Sequence, residues 1–362
     1  MFRVIVWGTG FVGRAVLRGL IGHPEYEIVG VLVNDPAKEG RDVGEILGSG
    51  PLGLRATRDI AATLALEADA VAYFGPNAMH AETNLANLEA ALRAGKNVVE
   101  TSMGVFQNPE RTPPEIRDRI ERACQQGQAS FFSGGIDPGF ANDLFPLTLL
   151  GLCAQVDSAR TTEFIDAGSY PDQASLRMLG LLSSMDEPPL LDTPGMMTAI
   201  WGGPLYMIAG ALGVEIDETR EVYRRWGTHE SVDFPFGRVE PGQCAAHRIE
   251  LQGIVGGAPR IFIDHLHRLF PEAAPDWPRP RLHAVHANRI EIRGQPNVEQ
   301  ETVFSDADTG EGNAGGCLAT GMRAFNAIPA VCAARPGILS TLDLPLVAGR
   351  GGMRARNQGE PR

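Results

Sequence analysis

Residues 2–13 read Phe-Arg-Val-Ile-Val-Trp-Gly-Thr-Gly-Phe-Val-Gly, and this stretch decides the fold. A β-rich run enters the pattern Gly8-x-Gly10-x-x-Gly13, and a helical, apolar-periodic segment over 10–20 follows. Strand, glycine turn and helix in that order form the setting in which this spacing binds a dinucleotide. The glycines permit a tight turn and a close approach to a pyrophosphate, which lies on the free N–H groups of the helix start. A glycine turn without a ligand is the bland reading of the same residues. The next strand, over 26–33, ends on Asn34 and Asp35, the tip from which the adenosine ribose is read. A carboxylate there accepts from both ribose hydroxyls and repels a 2′-phosphate. Asn34 tolerates either coenzyme, and Lys38 and Arg41 reach a phosphate. NAD and NADP both stay open, and Asn-Asp-Pro is also plain turn chemistry.

Working outward, strands are expected over 68–74, 96–100 and 129–132, with helices over 80–94 and 116–126. Leu85, Leu88 and Leu92 give the first of these helices an apolar face, and Gly95 stops it. This alternation predicts parallel strands joined by crossover helices. Beyond Gly139 the text changes. β-type segments recur over 157–167, 246–270 and 282–304, and Gly256-Gly257 reads as a hairpin turn, which implies an antiparallel sheet. Helical text over 195–212 is rich in glycine and methionine, and 275–280 is a surface loop. An apolar helix over 316–334 returns the chain to the first domain, and the tail from Gly349 is expected to fray. The domains expected are 1–139, completed by 313–348, for the dinucleotide, and 140–312 for substrate and dimerisation.

The chain has 362 residues and a formal charge of −12, from 32 Lys and Arg against 44 Asp and Glu. The acidic balance argues against nucleic acid. Cys124, Cys153, Cys244, Cys317 and Cys332 show no C-x-x-C spacing, which suits reduced thiols in a cytosol. No run approaches the ~20 apolar residues of a membrane span, so a soluble, cytoplasmic protein is expected. No metal spacing, nucleophile elbow or Walker pattern is present.

In an open parallel sheet the ligand lies beyond the carboxyl ends of the strands. Three loops qualify: Phe74-Gly75-Pro76-Asn77, Glu100-Thr101-Ser102-Met103-Gly104, and Gly134-Gly135-Ile136-Asp137-Pro138-Gly139-Phe140. The series VAYFGPNAMH, GKNVVETSMG and SGGIDPGFANDLFPL resembles the dihydrodipicolinate reductase family. It is closer to the 2,4-diaminopentanoate dehydrogenases and the native NAD(P)-dependent amine dehydrogenases, and GNAGGCLATGMRAFNAIPAVCAARPG resembles the closing helix of the latter. The resemblance implies an α/β chain with an N-terminal Rossmann domain and a second α+β domain on an open mixed or antiparallel sheet. It further implies a homodimer built on that sheet and reduction of an imine by NAD(P)H. The reductase's His-His-x-x-Lys cluster is absent. The pairs His265/His267 and His283/His286 are the nearest groupings, each read as a packed or solvated sheet face.

The amine dehydrogenase likeness implies a loop glutamate that holds ammonia. Glu100 is the only acid of residues 100–105, with Met103-Gly104 where the family has acids. Either Glu100 is the catalytic carboxylate or it binds its own loop backbone. Candidate coenzyme contacts are Gly8, Thr9, Gly10, Phe11, Val12 and Gly13 of the turn, Asn34, Asp35 and Lys38 beyond the second strand, and Phe74, Gly75, Pro76, Thr101, Asp137 and Asn326. Asp137, Asn142 and Asp143 are also turn and cap formers. Glu163 and Asp166 either add negative field for a cation or lie on a solvated sheet face. Met178, Met185, Met196, Met197, Trp201, Tyr206 and Met207 form a soft apolar cluster, core for the most part. The expected function is reductive amination of a small aldehyde or ketone with ammonium, using NADP or NAD. An imine or carbonyl reductase without ammonia is the alternative, and a non-catalytic coenzyme-binding sensor is the alternative of another class.

Overall fold

The computed structural model describes residues 1–76, 80–170, 172–283 and 286–353. Asn77, Ala284, Val285 and the end of the expected tail lie outside them. The chain divides into two units, Met1–Met103 with Pro114–Ser133 and Gly321–Arg362, and Gly104–Pro113 with Gly134–Thr320.

The first unit opens with β1 (Phe2–Trp7), α1 (Phe11–Leu20), β2 (Tyr26–Leu32), α2 (Val43–Leu47), β3 (Ala56–Thr57), α3 (Ile60–Leu64) and β4 (Ala70–Tyr73). It continues with α4 (Ala81–Arg93), β5 (Asn97–Glu100), α5 (Pro114–Gly127) and β6 (Ser130–Ser133). Every residue of β4 and β6 is buried, as expected for strands covered on both faces.

In the second unit α6 (Leu144–Leu150) leads to β7 (Gln155–Asp166), α7 (Gln173–Met178), α8 (Met196–Leu212) and β8 (Glu218–Gly227). A small hairpin of β9 (Val232–Phe234) and β10 (Gly237–Val239) precedes β11 (Cys244–Val255), β12 (Ala258–Arg268), β13 (Ala287–Gln295) and β14 (Val298–Thr302). The sheet order is β14-β13-β7-β12-β11-β8. The sheet is mixed, as the family resemblance implies: β12 runs parallel to β7, which corrects the purely antiparallel reading of the residues alone. The β11–β12 hairpin docks its second strand against β7, and the long connection between them leaves both pointing the same way. Met197, Trp201, Leu205 and Ile208 of α8 pack on Ile249, Leu251, Ile261, Ile263, Ile290 and Ile292 of the sheet. Each such buried side chain contributes roughly 1.5–3 kcal/mol, enough to hold a helix whose own glycines favour it little.

The last elements are α9 (Gly312–Phe325), α10 (Ile328–Ala333) and β15 (Gly337–Leu339). The single helix expected over 316–334 is thus two, broken at Asn326-Ala327. Pro329, which has no N–H to give, sits in the first turn of α10, where none is needed. Ala324, Phe325, Ile328 and Val331 join the core of the first unit. β15 pairs with β6 and completes a parallel sheet of order β15-β6-β5-β4-β1-β2-β3. Among the described residues no helix is long and apolar enough to cross a membrane.

Candidate active site

The three glycines of the first turn differ in what surrounds them. Gly8 has φ +111°, and a Cβ there would meet the Phe74 carbonyl oxygen at 2.1 Å. A Cβ on Gly13 would meet the Gly8 carbonyl oxygen at 2.0 Å. Both positions are closed by backbone. A Cβ on Gly10 would meet nothing within 4 Å. Gly10 caps α1 without a side-chain hydrogen bond, so among the described residues no side-chain cap occupies the first-turn N–H groups of that helix. An open, donor-rich cradle at the positive end of a helix fits a pyrophosphate, and the residues present fit a dinucleotide coenzyme. Thr9 is buried beneath the turn, and Phe11 is exposed.

Past β2, Asn34 is exposed and the Asp35 carboxylate accepts from Ala37 N at 2.9 Å, capping a short turn. Lys38 extends its Nζ to the Thr9 carbonyl oxygen at 3.1 Å, which brings the ammonium to the glycine turn. At the ends of the neighbouring strands, Ser102 Oγ donates to the Gly75 carbonyl at 3.1 Å and Asn84 Nδ2 to the Pro76 carbonyl at 2.8 Å. The loops after β1, β4 and β5 therefore meet, with Phe74 under Gly8 and half-buried Thr101 on the third of them.

Glu100 ends β5 and is fully enclosed. Its Oε2 accepts from Ser102 N at 2.5 Å and Met103 N at 2.9 Å, while Oε1 has no partner. Burial pushes its carboxyl up to about 7, against the opposing pull of the Ser133 hydroxyl and the two backbone donors. Asn326 follows α9 in the same unit, and its Oδ1 is enclosed without a partner.

The second unit gathers a separate set of groups. Asp137 Oδ1 receives Trp201 Nε1 at 3.1 Å and His265 Nε2 at 2.9 Å. Ligating atoms of Asp137, Glu163 and His265 lie within 4.8 Å of one another. Register explains the meeting: β12 beside β7 sets His265 opposite Glu163 on the face that α8 covers. The solvated-face reading fails for Glu163, whose side chain is only 13% exposed. Burial, and then the charge of Asp137, hold its carboxyl well above the usual range. The solvated reading fails for His265 and His267 as well, both of which are buried. Asp166 caps the turn that follows β7, accepting from Gly168 N at 3.1 Å. Asn142 accepts from Gly139 N at 2.8 Å, and Asp143 caps α6.

Two residues of this set escaped the sequence reading, His247 and Tyr223. His247 Nε2 lies 2.9 Å from His267 Nδ1, and Tyr223 Oη lies 3.2 Å from His247 Nδ1. The hairpin turn at Gly256-Gly257, legible in the sequence, sets His247 of β11 opposite His267 of β12, whereas Tyr223 joins them only because β8 pairs with β11. Met197 and Met207 are core, as expected of the methionine-rich text.

Comparison with known proteins agrees with both units. Residues 2–126 match the family described as dihydrodipicolinate reductase, N-terminus, and residues 200–358 match the 2,4-diaminopentanoate dehydrogenase C-terminal domain. An amine dehydrogenase of Streptomyces virginiae is 39% identical over 351 residues, which cover 96% of this chain and 97% of that protein. A 2,4-diaminopentanoate dehydrogenase of Acetoanaerobium sticklandii is 23% identical over 264 residues, 69% of each chain. The solved amine dehydrogenase of Mycobacterium smegmatis superposes with a TM-score of 0.76 at 19% identity, covering 97% of this chain and 98% of that one. The chain belongs to the amine dehydrogenase family of NAD(P)-dependent oxidoreductases.

Proposed function

We propose that the chain interconverts a small aldehyde or ketone plus ammonia with a primary amine, with Glu100 as the carboxylate that moves protons. In balance, carbonyl, ammonia, NAD(P)H and a proton give amine, water and NAD(P)⁺. The coenzyme supplies the hydride when bound. The remaining work is proton traffic: ammonium loses a proton before it attacks, the carbinolamine oxygen gains one before it leaves as water, and the cationic iminium needs negative charge nearby.

The observation that carries this reading is the state of Glu100. An enclosed carboxylate with one oxygen anchored on two backbone N–H groups, the other oxygen unpartnered and its pKa near 7 gives and takes protons at neutral pH. The glycine turn and Lys38 are the proposed coenzyme contacts, joined by Asn34, Asp35, Phe74, Gly75, Pro76, Thr101 and Asn326. We further propose a cytoplasmic homodimer, built on the sheet face opposite α8. Arg160 and Arg248 bind Glu250 and Asp264 on that face, and Arg160 stacks on Phe262 at 4.0 Å. Sedimentation of the purified chain at monomer mass would remove the dimer.

The test is NAD(P)H oxidation with a carbonyl panel, with and without ammonium. Oxidation that requires ammonium supports the reading; equal oxidation without it makes the chain a carbonyl reductase. Glu100→Gln is expected to keep coenzyme affinity while turnover falls about 10²–10⁴-fold. Unchanged turnover takes Glu100 out of the mechanism.

A further inference from the structure

The buried polar chain of the second unit fixes its own protonation from one end. A carbonyl can only accept, so the Tyr223 hydroxyl, 2.7 Å from the Leu179 carbonyl oxygen, donates to it. The hydroxyl oxygen then takes Nδ1–H of His247 at 3.2 Å. In a neutral imidazole that leaves Nε2 as the acceptor, and Nδ1–H of His267 fills it at 2.9 Å. Both rings are neutral, because burial pushes His247 down to about 3 and His267 well below its ordinary value. The chain therefore ends in a bare lone pair on His267 Nε2, which is enclosed and has no hydrogen-bond partner.

That lone pair faces other acceptors. Glu163 Oε2 stands 3.5 Å from it, and the Asp137 carboxylate adjoins Glu163. His265 gives its Nε2–H to Asp137, so its Nδ1 is a second enclosed nitrogen without a partner. Among the described residues no lysine or arginine pairs with Asp137 or Glu163. Arg160 and Arg248 serve Glu250 and Asp264, and Arg289 serves Glu301. A buried cluster of two carboxyl groups and a bare imidazole nitrogen is short of donors: among the described residues the N–H groups of Trp201 and His265 both go to Asp137 Oδ1, and none reaches His267 Nε2.

We propose that Asp137, Glu163 and His267 Nε2 form a binding site for a small N–H cation, ammonium or the primary ammonium group of an amine. A metal ion fits less well, since binding it through His265 Nε2 would move that ring's proton to Nδ1, which is enclosed and has no acceptor. Ammonium brings several N–H donors for several acceptors at once. When the site is empty, the proton retained on Glu163 plays the donor, and the cation displaces it. The choice of an amine cation rests on the proposed reaction; the shortage of donors does not.

The experiment is thermal unfolding of the full chain in ammonium chloride and in tetramethylammonium chloride at equal concentration. The second ion carries charge without N–H donors. Ammonium is expected to raise Tm by about 2 °C or more over its methylated counterpart, and the difference to vanish in Glu163→Gln and in Asp137→Asn. If one variant does not fold, the other carries the comparison. No ammonium-specific rise in the wild type, or the same rise in a folded variant, overturns the site. So does a rise produced by micromolar zinc or manganese and removed by a chelator. In turnover, the KM for ammonium is expected to rise about tenfold or more in either variant, with coenzyme affinity kept. Ammonium-specific stabilisation without ammonium-dependent turnover leaves the site standing and removes reductive amination. Ammonium-dependent turnover with an unchanged KM in Glu163→Gln removes the site and leaves the reaction.

Discussion

Three glycines of one motif do different jobs, and single substitutions separate them. Gly10→Ala adds a methyl group to open space at a φ of −73°, which any residue adopts. Its Tm is expected to stay within about 2 °C of the wild type, while coenzyme affinity measured by titration calorimetry falls about tenfold or more, because the methyl group lies where the pyrophosphate is proposed to meet the backbone. Gly13→Ala drives a Cβ into the Gly8 carbonyl and is expected to lower Tm before any coenzyme is added. Equal effects in both variants would contradict this division. The sequence supplied the motif and its three positions. It could not say which glycine is open, since that depends on Phe74, which comes from another strand.

Among the elements, α8 depends on a distant residue for its start. Its N-cap, Gly195, has no side chain to offer, and Glu221 of β8 supplies what is missing: its carboxylate accepts from Gly195 N, Thr198 N and Thr198 Oγ1, each at 2.7 Å. Glu221→Ala leaves these donors without their acceptor and is expected to cost about 1–2 kcal/mol in urea unfolding. Glu221→Gln, which keeps an acceptor oxygen, costs less. β8 was not expected from the sequence, since half of its text, Glu-Thr-Arg-Glu-Val-Tyr-Arg-Arg-Trp-Gly, is charged. Its strand character comes from pairing with β11.

Across the whole molecule, buried titratable groups pull stability in opposite directions with pH. Glu100 is raised from 4.5 to about 7 in the folded state, so its contribution is present below about 4.5 and is lost as pH rises toward about 7. Glu163 acts in the same direction. His247 is lowered from 6.5 to about 3, so its contribution is present above about 6.5 and is lost as pH falls toward about 3, and His267 follows it. Urea midpoints across pH 4–8 test both signs. The stability of the wild type relative to Glu100→Gln is expected to fall between about pH 5 and 7 and to level off above. Relative to His247→Asn it is expected to fall as pH drops below about 6.5. Each single titration contributes a slope of about 1.4 kcal/mol per pH unit. A flat difference for either variant refutes that burial effect.

The sequence by itself determined the strand, glycine turn and helix of β1 and α1, the alternation that builds the first sheet, and Glu100 at a strand end. These are local signals: periodicity, a three-glycine spacing and a stop at Gly95. The split between α9 and α10 was missed, although Pro329 lay in plain view. Only the tertiary structure decided that β12 runs beside β7, and with it the meeting of Glu163, Asp137 and the histidines. Whether a glutamate on a strand is solvated or enclosed depends on what covers its face. At Glu163 that cover includes α8, which arrives from later in the chain, and no window of local sequence records it.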